Sequence, residues 1–172
     1  MIFLFRWVKA LINSNVFLSL GSNIGDRKLN IELALGELRA VSDVLAISSI
    51  YKTEPIGFSN QEEFYNCILE VKTKLSPKKL LYKIKKIERK MGRKKNFRNG
   101  PRLIDIDIIF YKDSTINEDG LIIPHPRWQE RLFVIIPMLE ISPDLTEYYI
   151  DTFNIELSKL KQKVIQIGNV DI

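Results

Sequence analysis

Asp105 and Asp107 stand two residues apart inside the apolar run Leu103-Ile104-Asp105-Ile106-Asp107-Ile108-Ile109. Alternate side chains of a β-strand share a face, so this spacing predicts Ile104, Ile106 and Ile108 in a core and both carboxylates together on the other side. Two like charges held that close repel unless a cation sits with them. Hard oxygen donors of this kind suit Mg²⁺, which keeps several waters and shares phosphate oxygens. By itself such a pair is more often a wet strand face, and the neighbouring residues change that reading. Arg98-Asn99-Gly100-Pro101-Arg102 lies immediately upstream, and guanidinium groups take the phosphate oxygens that a cation leaves. His125, the single histidine, is held between Pro124 and Pro126 in a stiff turn, with Arg127 and Arg131 following. Phe64 and Asn66 are also two apart, so on a strand they share a face; by themselves they read more readily as a core ring and a turn former than as a ring for stacking and an amide for a donor–acceptor edge.

The elements that must carry these groups follow from periodicity and breakers. Val16 to Leu20 reads as a buried strand running into a turn at Gly21-Ser22-Asn23. Asp26 predicts the N-cap of a helix to about Ala40, with Leu29, Leu33, Leu35 and Leu38 as its apolar bulk. Val44 to Lys52 reads as a strand, 54–60 as a loop rich in breakers, and Phe64 to Thr73 as a second long strand. Ser76-Pro77 opens a helix whose Leu80, Leu81, Ile84, Ile87 and Met91 keep helical spacing, and Gly92 ends it. A basic loop leads to the strand Leu103–Tyr111, followed by a short strand at Leu121–Ile123 and helices over Phe133–Glu140 and Phe153–Lys163. The order βαββαβ predicts an α+β fold: a ferredoxin-like antiparallel sheet with helices packed on it in a three-layer sandwich. Residues 16–172 are expected to form one domain, and 1–15 an N-terminal extension of no assigned role.

Composition narrows the function classes. The chain has 172 residues, 45% of them hydrophobic and 27% charged, with 8 Gly and 7 Pro, which excludes collagen-like and wholly disordered chains. A single cysteine, Cys67, allows no internal disulfide and no multi-cysteine zinc site, and fits a reducing, cytoplasmic setting. No apolar run reaches the roughly 20 residues of a membrane span. The net charge is +5, yet residues 78–102 alone carry twelve basic residues against Glu88, so the remainder is net acidic. A concentrated strip suits a compact polyanion at one site or a nucleic-acid backbone along one face. The second option makes a ferredoxin-like RNA-binding module the alternative, although the aromatic RNP motif of such modules does not occur. No P-loop motif occurs either. Gly21-Ser22 with the acidic pair suggests a polymerase-β-like nucleotidyltransferase, but over eighty residues intervene, and that reading falls.

Five blocks in order resemble one family, the 6-hydroxymethyl-7,8-dihydropterin pyrophosphokinases of folate synthesis. They are LGSNIGDR at 20–27, YKTEPIG at 51–57, NQEEFYN at 60–66, RNGPRLIDIDII at 98–109 and PHPRWQERLFVIIPM at 124–138. The resemblance implies transfer of the β,γ-pyrophosphoryl group of ATP to the hydroxymethyl group of the pterin, with release of AMP. It implies two Mg²⁺ ions held by Asp105 and Asp107, with Arg93 and Arg102 also in the catalytic set. It places the pterin between Phe64 and Phe133, its polar edge on Asn66, beside the loop Thr53, Glu54, Pro55 and Ile56. ATP is expected against Glu88, Arg93, Lys95, Arg102, His125 and Arg131, with Ile108 near the adenine. It also implies a monomer acting on small molecules, with neither nucleic acid nor membrane as partner. Asn99 stands where the family often has Trp before Gly-Pro-Arg, which removes a ring that could pack over a closed loop. The loops 54–60 and 93–101 are the expected lids.

Overall fold

The computed structural model of the chain describes residues 15–55, 60–92 and 100–171. Strand β1 (Val16–Ser22) is buried along its whole length. It lies between β4 (Phe64–Lys72) and β5 (Asp105–Tyr111), antiparallel to both. Strands β2 (Asp43–Ile47) and β3 (Ile50–Thr53) share the other edge of β4, and β8 (Val164–Gly168) adds to β3. The sheet order is therefore β5-β1-β4-β3-β8, with β2 also on β4. A separate hairpin pairs β6 (Ile116–Glu118) with β7 (Leu121–Ile123).

Alternation along β1 sorts the molecule into two cores. Val16, Leu18 and Leu20 face helices α1 (Arg27–Arg39) and α2 (Pro77–Lys90), packing with Ile31, Leu35, Leu80 and Ile84. Phe17 faces the other way, toward α3 (Leu132–Ile141) and α4 (Pro143–Thr152), with Trp128, Ile135 and Met138. There the Phe110 and Tyr149 rings stack at 4.2 Å and 3°. Helices thus cover both faces of one antiparallel sheet, as the ferredoxin-like three-layer reading requires. Each fully buried aliphatic side chain contributes about 1.5–3 kcal/mol.

Local signals behave as their chemistry dictates. Asp26 Oδ1 accepts the Leu29 N–H at 3.0 Å and caps α1. Pro77 starts α2, and Gly92, at φ +92°, follows its end in a conformation that suits glycine. Glu140 on α3 accepts from the Ser49 N–H, the Ser49 hydroxyl and the Tyr51 hydroxyl, tying that helix to β3. Burial, then this bond, pushes the Tyr51 phenol up to about 12. Asn15 joins the body through Lys112, whose N–H it accepts at 2.8 Å, and through Glu70.

Four expectations are corrected. The first strand does not stop at Leu20; it continues through Gly21 and Ser22 because both flanking ladders extend that far. Leu29 and Leu33 are 47% and 54% exposed, since each lies about 200° around the helix from Ile31, opposite the centre of the buried stripe Ile31, Ala34, Leu35 and Leu38. The strand Val44–Lys52 is two strands, broken where the Ser48 hydroxyl accepts the Ile68 N–H and Ser49 turns to Glu140. No helix spans Phe153–Lys163. Only a 3-10 turn, Leu157–Lys159, forms there; the last α-helix is α4, opened earlier by Ser142-Pro143 and ended before Asn154 at φ 51°, and β-branched Val164 and Ile165 then enter the sheet. No helix among the described residues is long and apolar enough to cross a membrane.

Candidate active site

At one end of the sheet, the face that carries Phe17 and Ile68 changes from apolar to polar. Continuing along β1 on the Phe17 side come Ser19 and Gly21, which register with Asp107 and Asp105 on β5, while Gly21 registers with Asn66 on β4. These small residues leave room above the sheet. Over them lies a cavity of about 320 Å³ whose lining includes Thr53, Glu54, Phe64, Asn66, Arg102, Asp105, Asp107, His125, Arg131 and Phe133. Ile104 and Ile106 are fully buried on the opposite face and Ile108 is 5% exposed, so the two-residue alternation aims both carboxylates into the same space.

One half of this cavity suits a flat, polar heterocycle. Phe64 begins β4, and Phe133 reaches in from the first turn of α3. Asn66 is 4% exposed and its Nδ2 donates to Thr53 Oγ1 at 2.8 Å, which fixes the direction of its carbonyl oxygen. A Cβ added to Gly21 would come within 2.9 Å of that oxygen, so this floor requires glycine.

The other half is electrostatic. Arg102 pairs with Asp105, and Arg131 Nη1 lies 3.3 Å from Asp107 Oδ2 while its guanidinium sits 5.5 Å from the Phe133 ring centre. His125 Nδ1 accepts the Arg127 N–H at 3.1 Å, so a neutral ring carries its proton on Nε2, 3.7 Å from Asp107 Oδ2. Burial, and then the Arg131 charge, lower the His125 pKa against the opposing pull of Asp107 and Asp105. His125 is therefore a neutral donor near pH 7.

The chemistry of the donor set fits Mg²⁺. Asp105 and Asp107 offer hard oxygens on one ledge, and no group of three or more His, Cys, Asp or Glu that could hold a metal occurs among the described residues. Two carboxylates side by side leave room for an ion that completes its shell with phosphate oxygens and water.

The remaining predicted residues fall differently. Ile108 lines an adjoining cavity of about 270 Å³ with Leu81, Lys85, Leu121 and Ile122; Asp107 and His125 belong to both cavities. Glu88 lines neither cavity. It is 1% exposed, accepts the Ile106 N–H at 2.9 Å and pairs with Lys85 at 3.0 Å, so it supports β5 and holds the lysine that does line both. Pro55 is half-buried outside the lining. Ile56, Arg93, Lys95 and Asn99, with most of both expected lids, lie outside the described residues.

Ser19, Gly21, Lys85 and Gly100, which were not among the expected site residues, also line the larger cavity, as does Arg127, named above beside His125. The signal for the first two was the alternation Leu18-Ser19-Leu20-Gly21, whose polar face is the face of the carboxylates. Lys85 was hidden in the basic strip.

A family model for 7,8-dihydro-6-hydroxymethylpterin-pyrophosphokinase matches residues 17–143. The chain is 46% identical over 132 residues to the 2-amino-4-hydroxy-6-hydroxymethyldihydropteridine pyrophosphokinase of Aquifex aeolicus (strain VF5), covering 77% of this chain and 82% of that one. It is 42% identical over 132 residues to the enzyme of the same name from Bacillus subtilis (strain 168), covering 76% of this chain and 79% of that one. Its fold is similar to that of a solved HPPK-DHPS chain in complex with substrates, with a TM-score of 0.63 at 16% identity, over 85% of this chain. The chain spans 45% of that longer one.

Proposed function

The chain belongs to the 7,8-dihydro-6-hydroxymethylpterin-pyrophosphokinase family, and on that premise we propose how its cleft performs the reaction. The protein transfers pyrophosphate from ATP to the hydroxymethyl group of 6-hydroxymethyl-7,8-dihydropterin, releasing AMP, in folate synthesis. The alternative reading of the basic strip as an RNA-binding face gains no support from these relatives.

The pterin enters between Phe64 and Phe133 and sets its polar edge against Asn66 and Thr53. Asn66 does not have to choose an orientation on binding, because Thr53 already holds its amide. The ring is thereby fixed with its hydroxymethyl arm toward the acidic ledge, and fixing two reactants replaces an encounter with a near-unimolecular step. Arg102 and Arg131, which lie on the carboxylates, are the donors that turn to the phosphates, with His125 adding a neutral N–H. Glu88 keeps Lys85 at the seam between the two cavities, where triphosphate and nucleoside would meet.

Asp105 and Asp107 would hold two Mg²⁺ ions, which when bound would supply charge neutralisation for the phosphates and polarise the attacking hydroxyl. Transfer of this type asks for positioning and electrostatics rather than covalent participation, so a dedicated protein base is not needed. Arg93 and Lys95 are proposed as further phosphate contacts, Ile108 as a neighbour of the adenine, and Glu54 to Ile56 as the loop beside the pterin. We propose one pyrophosphokinase domain over 16–172, acting as a monomer in a reducing, cytoplasmic compartment, where the buried free thiol of Cys67 needs no partner.

The observation that carries this reading is the shared cavity: stacking rings, an oriented amide and two carboxylates face one space. Incubation with ATP, Mg²⁺ and the pterin alcohol tests it through the nucleotide formed. AMP is the expected product; ADP, or unchanged ATP, would overturn it.

A further inference from the structure

Asn23 is the first residue past β1, is 2% exposed, and makes four hydrogen bonds to two separate loops. Its backbone N–H donates to the Arg102 carbonyl at 3.1 Å, and its Oδ1 accepts the Arg102 N–H at 2.7 Å. Its Nδ2 donates to Gln61 Oε1 at 2.9 Å and to the Glu62 carbonyl at 3.2 Å. The side-chain amide thus has a division of labour: its oxygen serves one loop and its nitrogen the other.

Both loops end in site residues. Arg102 carries the guanidinium that pairs with Asp105 on the acidic ledge. Gln61 and Glu62 lead directly into Phe64, one wall of the aromatic slot. Neither Arg102 nor Gln61-Glu62 lies in a strand, so the sheet ladder does not set their positions; Asn23 does. Arg27 adds a second strut to the same loop, donating to the Glu63 carbonyl at 2.8 Å, with its guanidinium 4.0 Å from the Tyr65 ring centre.

We propose that Asn23 is a positioning residue that sets the heterocycle wall and the phosphate-binding arginine relative to each other. Its nitrogen acts on pterin binding and its oxygen on Arg102. The inference rests on the assignment of the two halves of the cleft made under Proposed function.

The two ends of the amide can be tested apart. Asn23→Asp keeps the backbone donor and an oxygen for the Arg102 N–H, but loses the donors to Gln61 and Glu62. It is expected to weaken pterin binding about tenfold while the KM for ATP stays within about twofold and kcat within about threefold. Asn23→Ala loses both ends and is expected to weaken pterin binding similarly, raise the KM for ATP and lower kcat about tenfold further. Gln61→Ala, which removes one partner of the nitrogen, is expected to show a smaller pterin-only effect and decides the matter if Asn23→Ala does not fold. Rates are referred to folded enzyme, so a loss of stability alone would leave kcat and both KM values unchanged. Equal effects on both substrates in Asn23→Asp, or unchanged pterin binding in Asn23→Asp and Gln61→Ala, would overturn the inference. Pterin affinity of the unmodified protein, measured directly by calorimetry, is the separate control: its absence would overturn the cleft assignment itself, and with it the inference.

Discussion

Asn66 and Asp105 lie in one row across the sheet with only Gly21 between them. Two strand spacings, roughly 9.6 Å, therefore separate the backbone that reads the heterocycle from the backbone that carries the first carboxylate. The row holds still because β1 and β4 are interior strands, because Glu88 of α2 accepts the Ile106 N–H of the edge strand β5, and because the opposite face is packed with Leu20, Cys67 and Ile106. A slot and a ledge set this far apart suit a bicyclic ring whose reactive arm projects from one end.

Gly21→Ala puts a methyl group 2.9 Å from Asn66 Oδ1 and 3.7 Å from Phe64 Cδ1. Overpacking of this kind costs roughly 1–3 kcal/mol, so the KM for the pterin should rise roughly tenfold to a hundredfold. The nearest atoms belong to Asn66 and Phe64, so the KM for ATP should change by no more than about twofold. Steady-state kinetics with each substrate varied in turn checks the split.

Asp107→Asn preserves shape and removes one charge from the ledge. Turnover should fall by a factor on the order of 10²–10³, while the thermal unfolding midpoint stays within about 4–8 °C of the parent. Near-full AMP formation by the folded variant would remove the ion-holding role given to this carboxylate.

Chelation should abolish AMP formation, and added Mg²⁺ should restore it. In Asp105→Asn the Mg²⁺ concentration for half-maximal rate, at fixed ATP, should rise about tenfold, the cost of losing one charged ligand of the shell. Rate against free Mg²⁺ in parent and variant is the measurement; superimposable curves would exclude Asp105 as a ligand.

Cys67 on β4 is completely buried in the core shared by the sheet and helices α1 and α2, and burial pushes its thiol from 9.0 up to about 12. Above pH 9 the unfolded chain releases this proton while the folded chain keeps it. Stability should therefore fall with rising pH, by about 1.4 kcal/mol per pH unit between pH 9 and 12. Tyr51 and Tyr149, also raised to about 12, steepen the loss above pH 10. Urea unfolding of the parent and of Cys67→Ala at pH 8, 9 and 10 should show a clearly steeper fall between 9 and 10 in the parent, the tyrosines supplying the smaller fall that both share.

Much of the site was legible before any fold was known, because the chemistry is written in residue types at short spacings. Asp105 and Asp107 could be assigned to one face from the isoleucines around them, and Phe64 with Asn66 by the same alternation. Asp26 and Ser76-Pro77 announced helix starts through their own capping chemistry. Errors arose where a local signal had a non-local competitor. Gly21-Ser22 reads as a turn, but ladders from both neighbouring strands draw it into β1. Phe153 to Lys163 has helical composition, but apart from the 3-10 turn Leu157–Lys159 it is a connection that carries the chain from α4 to the open edge of β3, where Val164 to Gly168 pair. Glu88, expected against ATP from the resemblance, is a separate case: its carboxylate accepts the Ile106 N–H and pairs with Lys85, contacts that no residue spacing announces.

Periodicity within β1, β4 and β5 determined which side chains share a face, and the five ordered blocks determined the family. Neither determined which strands would be neighbours. That β1 runs between β4 and β5, bringing Asn66 within reach of a carboxylate almost forty residues further along the chain, was decided only when long-range pairing buried both faces of the sheet at once. Asn23 makes the same point: its four bonds join loops near residues 61 and 102, and nothing in its immediate neighbours marks it. A side-chain period is a local property of the backbone, whereas adjacency is the outcome of packing the entire chain into one core.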